Sequence, residues 1–220
     1  ERPERVFYVG APGVENIHRL QLMEREEFFE RLGLPRRRRL LSVTYHPETL
    51  ELDSTGEAFS NLLEALDKLE DTNLVFTKAN ADMSGRLINK MIDEYVESRP
   101  ERAVAYASMG RHFYLSSLKY VDAVVGNSSS GIIEAPTFQI GTVDIGDRQK
   151  GRVRAKSVIG CEATTDAIYR AIEKVTSSSF KEVLSASKNP YDQGMVSEKA
   201  VAVLASYPLV GILKKEFYEA

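Results

Sequence analysis

The sequence is poor in cysteine: its 220 residues include only Cys161. A single cysteine excludes an internal disulfide framework and leaves no cysteine cluster for a structural zinc ion. Chains without disulfides are typical of reducing compartments. We therefore expect a cytoplasmic protein.

Long apolar runs, a signal-like beginning and an excess of positive charge are missing as well. No run approaches the roughly 20 apolar residues that a membrane-spanning helix requires, so no membrane partner is expected. The formal net charge of −3 gives no overall basic field, which argues against a nucleic-acid partner. The one dense basic run, residues 36–39, precedes a predicted strand and is interpreted as a solvated loop. The sequence does not begin with methionine, and we expect it to be part of a longer protein.

The sequence does contain enough apolar material for one large core or two small ones, since 43% of its residues are hydrophobic and 28% are charged. Short apolar runs predict strands, and apolar residues at steps of three and four predict helices. The predicted strands are residues 40–44, 73–77, 103–107, 121–125 and 142–145, with 157–160 as a candidate sixth strand. The predicted helices are residues 24–32, 54–69, 84–97, 111–120, 131–138, 165–175, 180–186, 197–205 and 210–218.

This alternation of strands and helices predicts an α/β fold. Strands separated by helices cannot pair as hairpins, so they require right-handed crossovers and a parallel sheet covered on both faces. We predict a Rossmann-like, doubly wound domain of about six β/α units over residues 24–206. Residues 1–23 are predicted to be an inter-domain linker, and residues 207–220 a C-terminal helix that crosses a surface.

Polar residues follow each predicted strand, and in a parallel sheet these positions share one edge. His46 follows the first strand, Asn80 the second and Ser108 the third. Three serines, residues 128–130, follow the fourth strand, and Arg148 follows the fifth. Ligands of such sheets bind outside the carboxyl ends of the strands. Hydroxyl, amide and cationic groups along one edge suit a phosphorylated or diphosphate ligand.

The stretch of residues 121–152 is central to this prediction. Two apolar runs flank a turn of small residues at 127–131, here called the serine turn, and a short helix follows the turn. Free backbone N–H groups, hydroxyl groups and a helix start would converge there on an anion. The competing interpretation is an ordinary serine N-cap of a helix.

Glu134 and His46 each have a structural and a functional interpretation. Glu134 lies one turn into the short helix, where the helix dipole favours a carboxylate even on a plain surface. Beside a phosphate site it would instead accept hydrogen bonds from ribose hydroxyls. His46 precedes Pro47, which favours an extended or turn conformation at the strand end. There the imidazole is either structural or part of the site.

Five segments together resemble the hydrolysing UDP-N-acetylglucosamine 2-epimerases of sialic acid biosynthesis and related pathways. The segments are residues 126–136, 144–152, 44–49, 78–85 and 8–16, so the resemblance covers nearly the whole chain. The non-hydrolysing epimerases typically have His-Arg-Arg-Glu-Asn where this sequence has residues 45–49. They also have Asp-Ser-Gly-Gly where it has residues 127–130. Both differences favour the hydrolysing type.

The resemblance implies a two-domain glycosyltransferase-B fold, with the nucleotide sugar in the cleft between two Rossmann-like halves. This chain is similar to the C-terminal half, which holds most of the UDP. The partners implied are UDP-N-acetylglucosamine or a related UDP-2-acetamido sugar, the N-terminal Rossmann-like domain and, for some members, further copies in a homo-oligomer. No cofactor and no metal are expected.

The resemblance also implies roles for individual residues. His46 would lie by the diphosphate and sugar, where it stabilises or protonates the leaving UDP. Glu134 would bind the ribose hydroxyls, and Arg148 would contact phosphate. The other implied UDP-binding residues comprise the diphosphate-binding turn and groups near the nucleotide: Ser128, Ser129, Ser130, Gly131, Asn80, Ser108 and Tyr114.

In this family UDP leaves by anti-elimination to give 2-acetamidoglucal, and water then adds with inversion at C2. The carboxylates for the C2 chemistry would lie in the N-terminal domain, so we expect this chain alone to bind UDP without turnover. Three alternatives stay open: a sugar transferase of the same fold, a non-catalytic UDP-sugar-binding module and a purely structural β/α domain. The sequence does not distinguish UDP-N-acetylglucosamine from UDP-diacetylbacillosamine.

Overall fold

One parallel sheet forms the centre of the computed structural model, which describes residues 3–47, 52–80 and 83–210 and, at 52–54 and 83–84, the backbone only. Its strands are β1 (Arg39–Thr44), β2 (Thr72–Thr77), β3 (Ala103–Tyr106), β4 (Ala123–Gly126), β5 (Gly141–Ile145) and β6 (Val158–Cys161). They lie in the order β3-β2-β1-β4-β5-β6, and each neighbouring pair is parallel. The predicted α/β fold with a doubly wound parallel sheet, including its sixth strand, is confirmed.

Helices connect the strands and cover both faces of the sheet. They are α1 (Pro12–Arg19), α2 (Arg25–Leu32), α3 (Leu52–Asp67), α4 (Met83–Glu97), α5 (Gly110–Leu118), α6 (Ser130–Ile133), α7 (Thr165–Val175), α8 (Lys181–Ala186) and α9 (Val196–Ser206). Short 3-10 helices occupy Pro3–Arg5, Ala135–Phe138 and Ser178–Phe180.

Two apolar layers hold the helices to the sheet, because successive residues of a strand point to opposite faces. On one face Leu41 of β1 and Phe59 of α3 belong to a single buried cluster. On the other face Leu40 belongs to a second cluster with Phe28 and Phe113, whose rings lie 5.5 Å apart. Each large apolar side chain buried in this way contributes about 1.5–3 kcal/mol. The cores therefore fix the strand ends that carry the polar residues.

Two helical predictions need correction. The single helix predicted at 131–138 is two elements, α6 and the 3-10 helix Ala135–Phe138. Pro136 explains the break, because it has no N–H with which to continue the α-helical ladder. Helix α1 was not predicted, since residues 1–23 were assigned to a linker. Its sequence signal is Pro12, which is favoured at a helix start.

Some predictions fall outside the described residues. The predicted helix at 210–218, most of the crossing segment 207–220 and parts of the segments 44–49 and 78–85 belong to this group. Within the part of the chain that the structure describes, no helix is both long and apolar enough to cross a bilayer.

Candidate functional site

The candidate site lies where the strand order reverses. The order runs outward from β1 to β3 on one side of the sheet and from β4 to β6 on the other. At such a switch point a crevice opens outside the carboxyl ends of the strands. His46 follows β1 and the serine turn follows β4, and these two strands are hydrogen-bonded neighbours. The structure therefore brings both predicted groups to this crevice.

Gly126 allows β1 and β4 to approach closely at this end. It pairs with Thr44 in the last rung of the ladder, and its φ is +135°. A Cβ atom at this position would lie 1.9 Å from the Thr44 carbonyl oxygen. Because the obstacle is backbone, which cannot move aside, glycine is required. The serine turn consequently begins directly beside His46.

Asn127 joins the serine turn to His46. The Asn127 side chain is completely buried; its Oδ1 accepts the backbone N–H of His46 at 2.7 Å, and its Nδ2 donates to the His46 carbonyl at 2.8 Å. One amide therefore satisfies both backbone groups of the half-buried histidine. Asn127 lay in the recognised motif but not among the predicted site residues. Its role depends on a contact between residues 81 positions apart, for which the sequence gives no signal.

The backbone carbonyl of Asn127 is held in turn by the segment after β5. Gln149 Nε2 donates to it at 2.8 Å and Arg148 Nη1 at 3.1 Å. Gln149 is buried, whereas Arg148 is exposed. Arg148 thus lies at the serine turn, as predicted, and its guanidinium retains further donors for an anion. Gln149 was not predicted to be part of the site.

The serine turn presents unused backbone donors. The N–H groups of Ser128 and Ser129 donate to no other described residue, and Ser129 makes no side-chain cap. Ser128 Oγ accepts only a long contact from the Ser130 N–H, at 3.4 Å. Because α6 is a single turn, its dipole adds little, and the local N–H and hydroxyl groups are the donors available to an anion.

Ser130 is already engaged by a neighbouring tyrosine. Its hydroxyl lies 2.5 Å from the Tyr114 hydroxyl. Burial raises the pKa of Tyr114 to about 12, against a smaller opposing effect of the hydrogen bond with Ser130. Tyr114 therefore stays neutral at physiological pH. The pair orients the Ser130 hydroxyl rather than leaving it free.

Gly131 has a packing role that its sequence position alone does not reveal. Its N–H donates to the Ser128 carbonyl at 3.2 Å, and its carbonyl accepts the Thr142 hydroxyl at 2.8 Å. A Cβ atom would lie 2.7 Å from Cγ2 of Thr142 on β5. Glycine here lets α6 rest directly on the sheet, which places the serine turn at the edge.

Glu134 lies just after α6 with an unsatisfied carboxylate. Its Oε2 atom is buried and has no hydrogen-bond partner among the described residues. Gly13, at the start of α1, lies close on the other side: a Cβ there would be 3.2 Å from Glu134 Oε1. A buried carboxylate oxygen without a donor is unfavourable, and a ligand hydroxyl would supply that donor.

A cavity of about 350 Å³ adjoins the serine turn. Its lining includes predicted residues, Ser108, Tyr114, Ser128 and Ser130, together with Thr44 from the end of β1. The exposed Ser108 accepts the Gly110 N–H at 3.2 Å. Asn80 is exposed after β2 and does not line this cavity. Most of the predicted nucleotide residues are thus brought together, and Asn80 stands apart.

A larger cavity of about 680 Å³ lies toward β6 and contains none of the predicted site residues. Arg154 pairs there with the buried Asp144 at 2.6 Å. Burial raises the pKa of the Cys161 thiol to about 12, so the thiol is protonated and a poor nucleophile. Among the described residues no group of three or more His, Cys, Asp or Glu side chains could hold a metal ion.

Comparison with known proteins gives this geometry a context. A family model described as UDP-N-acetylglucosamine 2-epimerase matches residues 1–205. The GDP/UDP-N,N'-diacetylbacillosamine 2-epimerase (hydrolyzing) of Campylobacter jejuni is 37% identical over 83% of this chain and 47% of its own length. Polysialic acid biosynthesis protein P7 of Escherichia coli is 34% identical over 94% of this chain and 52% of its own length. The chain therefore spans about half the length of the curated relatives it matches, and the predicted resemblance is confirmed.

Solved structures agree at the level of the fold. The S. aureus MnaA–UDP structure has a TM-score of 0.70 at 16% identity and covers 100% of this chain and 59% of that one. The C-terminal domain of a Francisella tularensis group 1 glycosyltransferase has a TM-score of 0.51 at 12% identity, covering 84% of this chain and 94% of that one. These likenesses confirm the prediction that the chain folds as one half of a glycosyltransferase-B-type fold.

Proposed function

Because this chain belongs to the UDP-N-acetylglucosamine 2-epimerase family, we propose that it is the UDP-binding half of a hydrolysing 2-epimerase. The reaction consumes a UDP-2-acetamido sugar and water and releases UDP and the free 2-epimer. The observation that carries the proposal is the convergence at one crevice of His46, the unused N–H groups of the serine turn and Arg148.

The first step of the reaction is elimination of UDP to give a glucal. As the bond from the sugar to the β-phosphate breaks, negative charge grows on the leaving oxygen. The N–H groups of Ser128 and Ser129 and the guanidinium of Arg148 stabilise that charge, and His46 donates a hydrogen bond or a proton to it. Preorganised donors of this kind stabilise transition states because they need no reorganisation at the moment of reaction.

The nucleoside half of UDP extends from the serine turn. Glu134 accepts the ribose hydroxyls through Oε2, the buried oxygen without a partner. The cavity lined by Ser108 and Tyr114 supports placement of the remaining nucleotide groups beside the same turn. The contact of Asn80 with the nucleotide stays a prediction.

The C2 chemistry requires carboxylates that remove one proton and deliver another. We assign these to a second Rossmann-like domain, since the chain spans 47% of the C. jejuni relative. That relative is named for N,N'-diacetylbacillosamine, so UDP-diacetylbacillosamine is the first sugar nucleotide to test, with UDP-N-acetylglucosamine second. The cytoplasmic location and assembly into a homo-oligomer stay predictions.

Calorimetry of the 220-residue chain with UDP tests the proposal directly. We expect binding, and a higher melting temperature, because ligand at 100 times its Kd stabilises a protein by about 2.7 kcal/mol. An assay of both sugar nucleotides with the same chain should show no free sugar. Absence of UDP binding at millimolar concentration, or formation of a glycoside by the full-length enzyme, contradicts the proposal.

A further inference from the structure

Two buried amide side chains lie behind the proposed phosphate contacts. Asn127 is completely buried, and Gln149 is 2% exposed. The Asn127 amide binds the backbone of His46 through both its oxygen and its nitrogen, and Gln149 Nε2 donates to the Asn127 carbonyl. Asn127 thus contacts the backbone of His46, and Gln149 contacts the peptide group that joins Asn127 to Ser128.

The Asn127 side chain continues the ladder between β1 and β4 beyond its last rung. The ladder ends at the pairing of Thr44 with Gly126, and the Asn127 N–H then donates to the Thr44 carbonyl at 3.1 Å. At His46 the backbone is bound by the Asn127 side-chain amide instead of by a further residue of β4. Pro47 restricts the backbone of His46 from the other side. His46 is therefore held on both sides although the regular strand has ended.

Gln149 controls the direction of one peptide group of the serine turn. It holds the carbonyl of Asn127, and that carbonyl shares its peptide plane with the N–H of Ser128. The described residues contain no cis peptide bond, so this carbonyl and this N–H point in opposite directions. Holding the carbonyl with Gln149 thus fixes the direction of the unused Ser128 N–H.

We propose that Asn127 and Gln149 are positioning residues: Asn127 fixes His46, and Gln149 aims the Ser128 N–H at the β-phosphate. The inference rests on the proposed function, because it needs an anion at the serine turn. Arg148 also donates to the Asn127 carbonyl, at 3.1 Å. When Arg148 turns to a phosphate, Gln149 still occupies that carbonyl and the peptide keeps its direction.

Gln149→Met tests the second half of the proposal, since methionine has a similar length and no donor. UDP and inorganic pyrophosphate should both bind about tenfold more weakly, the loss expected for one hydrogen bond to a charged group. The matched control is Asn61→Ala, which also removes an amide donor from a backbone carbonyl, that of Ala163, but on the side of α3. It should bind both ligands like the unmodified chain at a similar cost in melting temperature.

Asn127→Ala tests the first half of the proposal, that Asn127 fixes His46, and this test needs no nucleotide. Hydrogen exchange should accelerate at least tenfold at the His46 amide, while the amides of Leu41 and Val43 inside β1 keep their protection. Unchanged exchange at His46 in a folded variant overturns this half, and if the variant does not fold, Gln149→Met decides the proposal.

The outcomes separate this inference from the proposed function. If the unmodified chain binds UDP and Gln149→Met binds it equally well, positioning by Gln149 is wrong and the proposed function stands. If the unmodified chain binds neither UDP nor pyrophosphate, the proposed function is wrong and the positioning role falls with it. Weaker binding by Asn61→Ala to the same extent would show a general effect of lost stability and would also overturn the inference.

Discussion

At the residue scale, Glu134 offers the sharpest test of the nucleotide position that we propose. Its buried Oε2 has no partner among the described residues. Glu134→Gln removes the charge that a ribose diol would use, so UDP should bind about 10 to 100 times more weakly, as for lost hydrogen bonds to a charged group. Pyrophosphate has no ribose, and its affinity should not change. Calorimetry with both ligands makes the comparison.

The exposed Glu162→Gln, near the other cavity, is a control of identical chemistry. It should leave the affinity for UDP as it was. A parallel loss of pyrophosphate affinity in Glu134→Gln would contradict the ribose assignment, because it would place the carboxylate's influence on the phosphates instead.

The residues of the site were predictable to different degrees. His46, the serines and Arg148 follow apolar runs, and a parallel sheet brings all such positions to one edge, so simple patterns were sufficient. The roles of Asn127 and Gln149 were not predictable. Each depends on a neighbour that only the strand order supplies, as in the hydrogen bond between residues 46 and 127.

At the element scale, the close packing of α6 against the sheet depends on Gly131. Gly131→Ala should lower stability, because a Cβ atom would lie 2.7 Å from Thr142 Cγ2. Overpacking costs about 1–3 kcal/mol, and it opposes a helix-propensity gain of about 1 kcal/mol for alanine. We expect a net loss of about 1 kcal/mol on this balance. Urea unfolding of the two proteins measures it.

Thr142→Ser should restore the stability that Gly131→Ala loses. Serine removes the Cγ2 methyl group but keeps the hydroxyl that donates to the Gly131 carbonyl. The double variant should therefore recover most of the stability lost in Gly131→Ala, and Thr142→Ser alone should cost less than the glycine substitution. If the double variant is as unstable as the single one, the methyl contact is not the cause.

The contact between α1 and α9 predicts that the stability of the protein depends on pH. Glu15 is buried on α1 and accepts the N–H of Ser197, at the start of α9, at 2.9 Å, as well as the Ser197 hydroxyl. These hydrogen bonds, the hydroxyl first, lower the pKa of Glu15 below its usual value of 4.5. The ionised carboxylate therefore adds stability above that value, and this stability disappears as the pH falls through the lowered pKa.

Glu15→Gln should be less stable than the unmodified chain at pH 7, and the difference should shrink as the solution is acidified below the usual pKa of 4.5. Urea unfolding across this range measures the difference. Glu26→Gln is the control, because Glu26 is exposed on α2. A difference that persists unchanged in acid would exclude the charge of Glu15 as the cause.

The helices show where the periodicity of apolar residues is sufficient to predict an element. Helices α4 and α7 were predicted nearly to their ends, because each buries an apolar stripe against the sheet. Helix α1 was missed since its short apolar pattern gains meaning only when α9 packs beside it. The break after α6 was missed although Pro136, which has no N–H to continue the helical ladder, lies inside the predicted segment.

At the scale of the whole molecule, alternation of strands and helices was sufficient to predict a parallel sheet. Neither the strand order, with its switch between β1 and β4, nor the register was predicted. Register is set by packing on both faces, such as the Phe28–Phe113 contact, and by close approaches such as Gly126 against Thr44. The relative positions of the residues at the candidate site depend on that register.

An apolar surface lies on α9, beside the junction of α1 with α9. Val201 and Leu204 lie three positions apart on α9 and are 63% and 74% exposed. The ring of Phe7, which is 46% exposed, lies 5.9 Å between centroids from Tyr207, the residue after α9. Exposed apolar patches of this kind mark interaction sites. We propose that the occupant of this surface is the second domain to which the C2 chemistry is assigned under the proposed function, since the chain spans about half the length of its curated relatives.

On this proposal, the double substitution of Val201→Lys and Leu204→Lys should abolish the sugar release that we propose for the full-length protein, because two charges cannot be buried unpaired at an interface. UDP affinity of the 220-residue chain should not change, since the surface does not include the serine turn. Leu87→Lys on α4, where the leucine is 46% exposed, is the matched control and should leave turnover intact. If the double variant keeps full turnover but dissociates an oligomer of the isolated chain, the surface binds a second copy and the domain assignment is wrong.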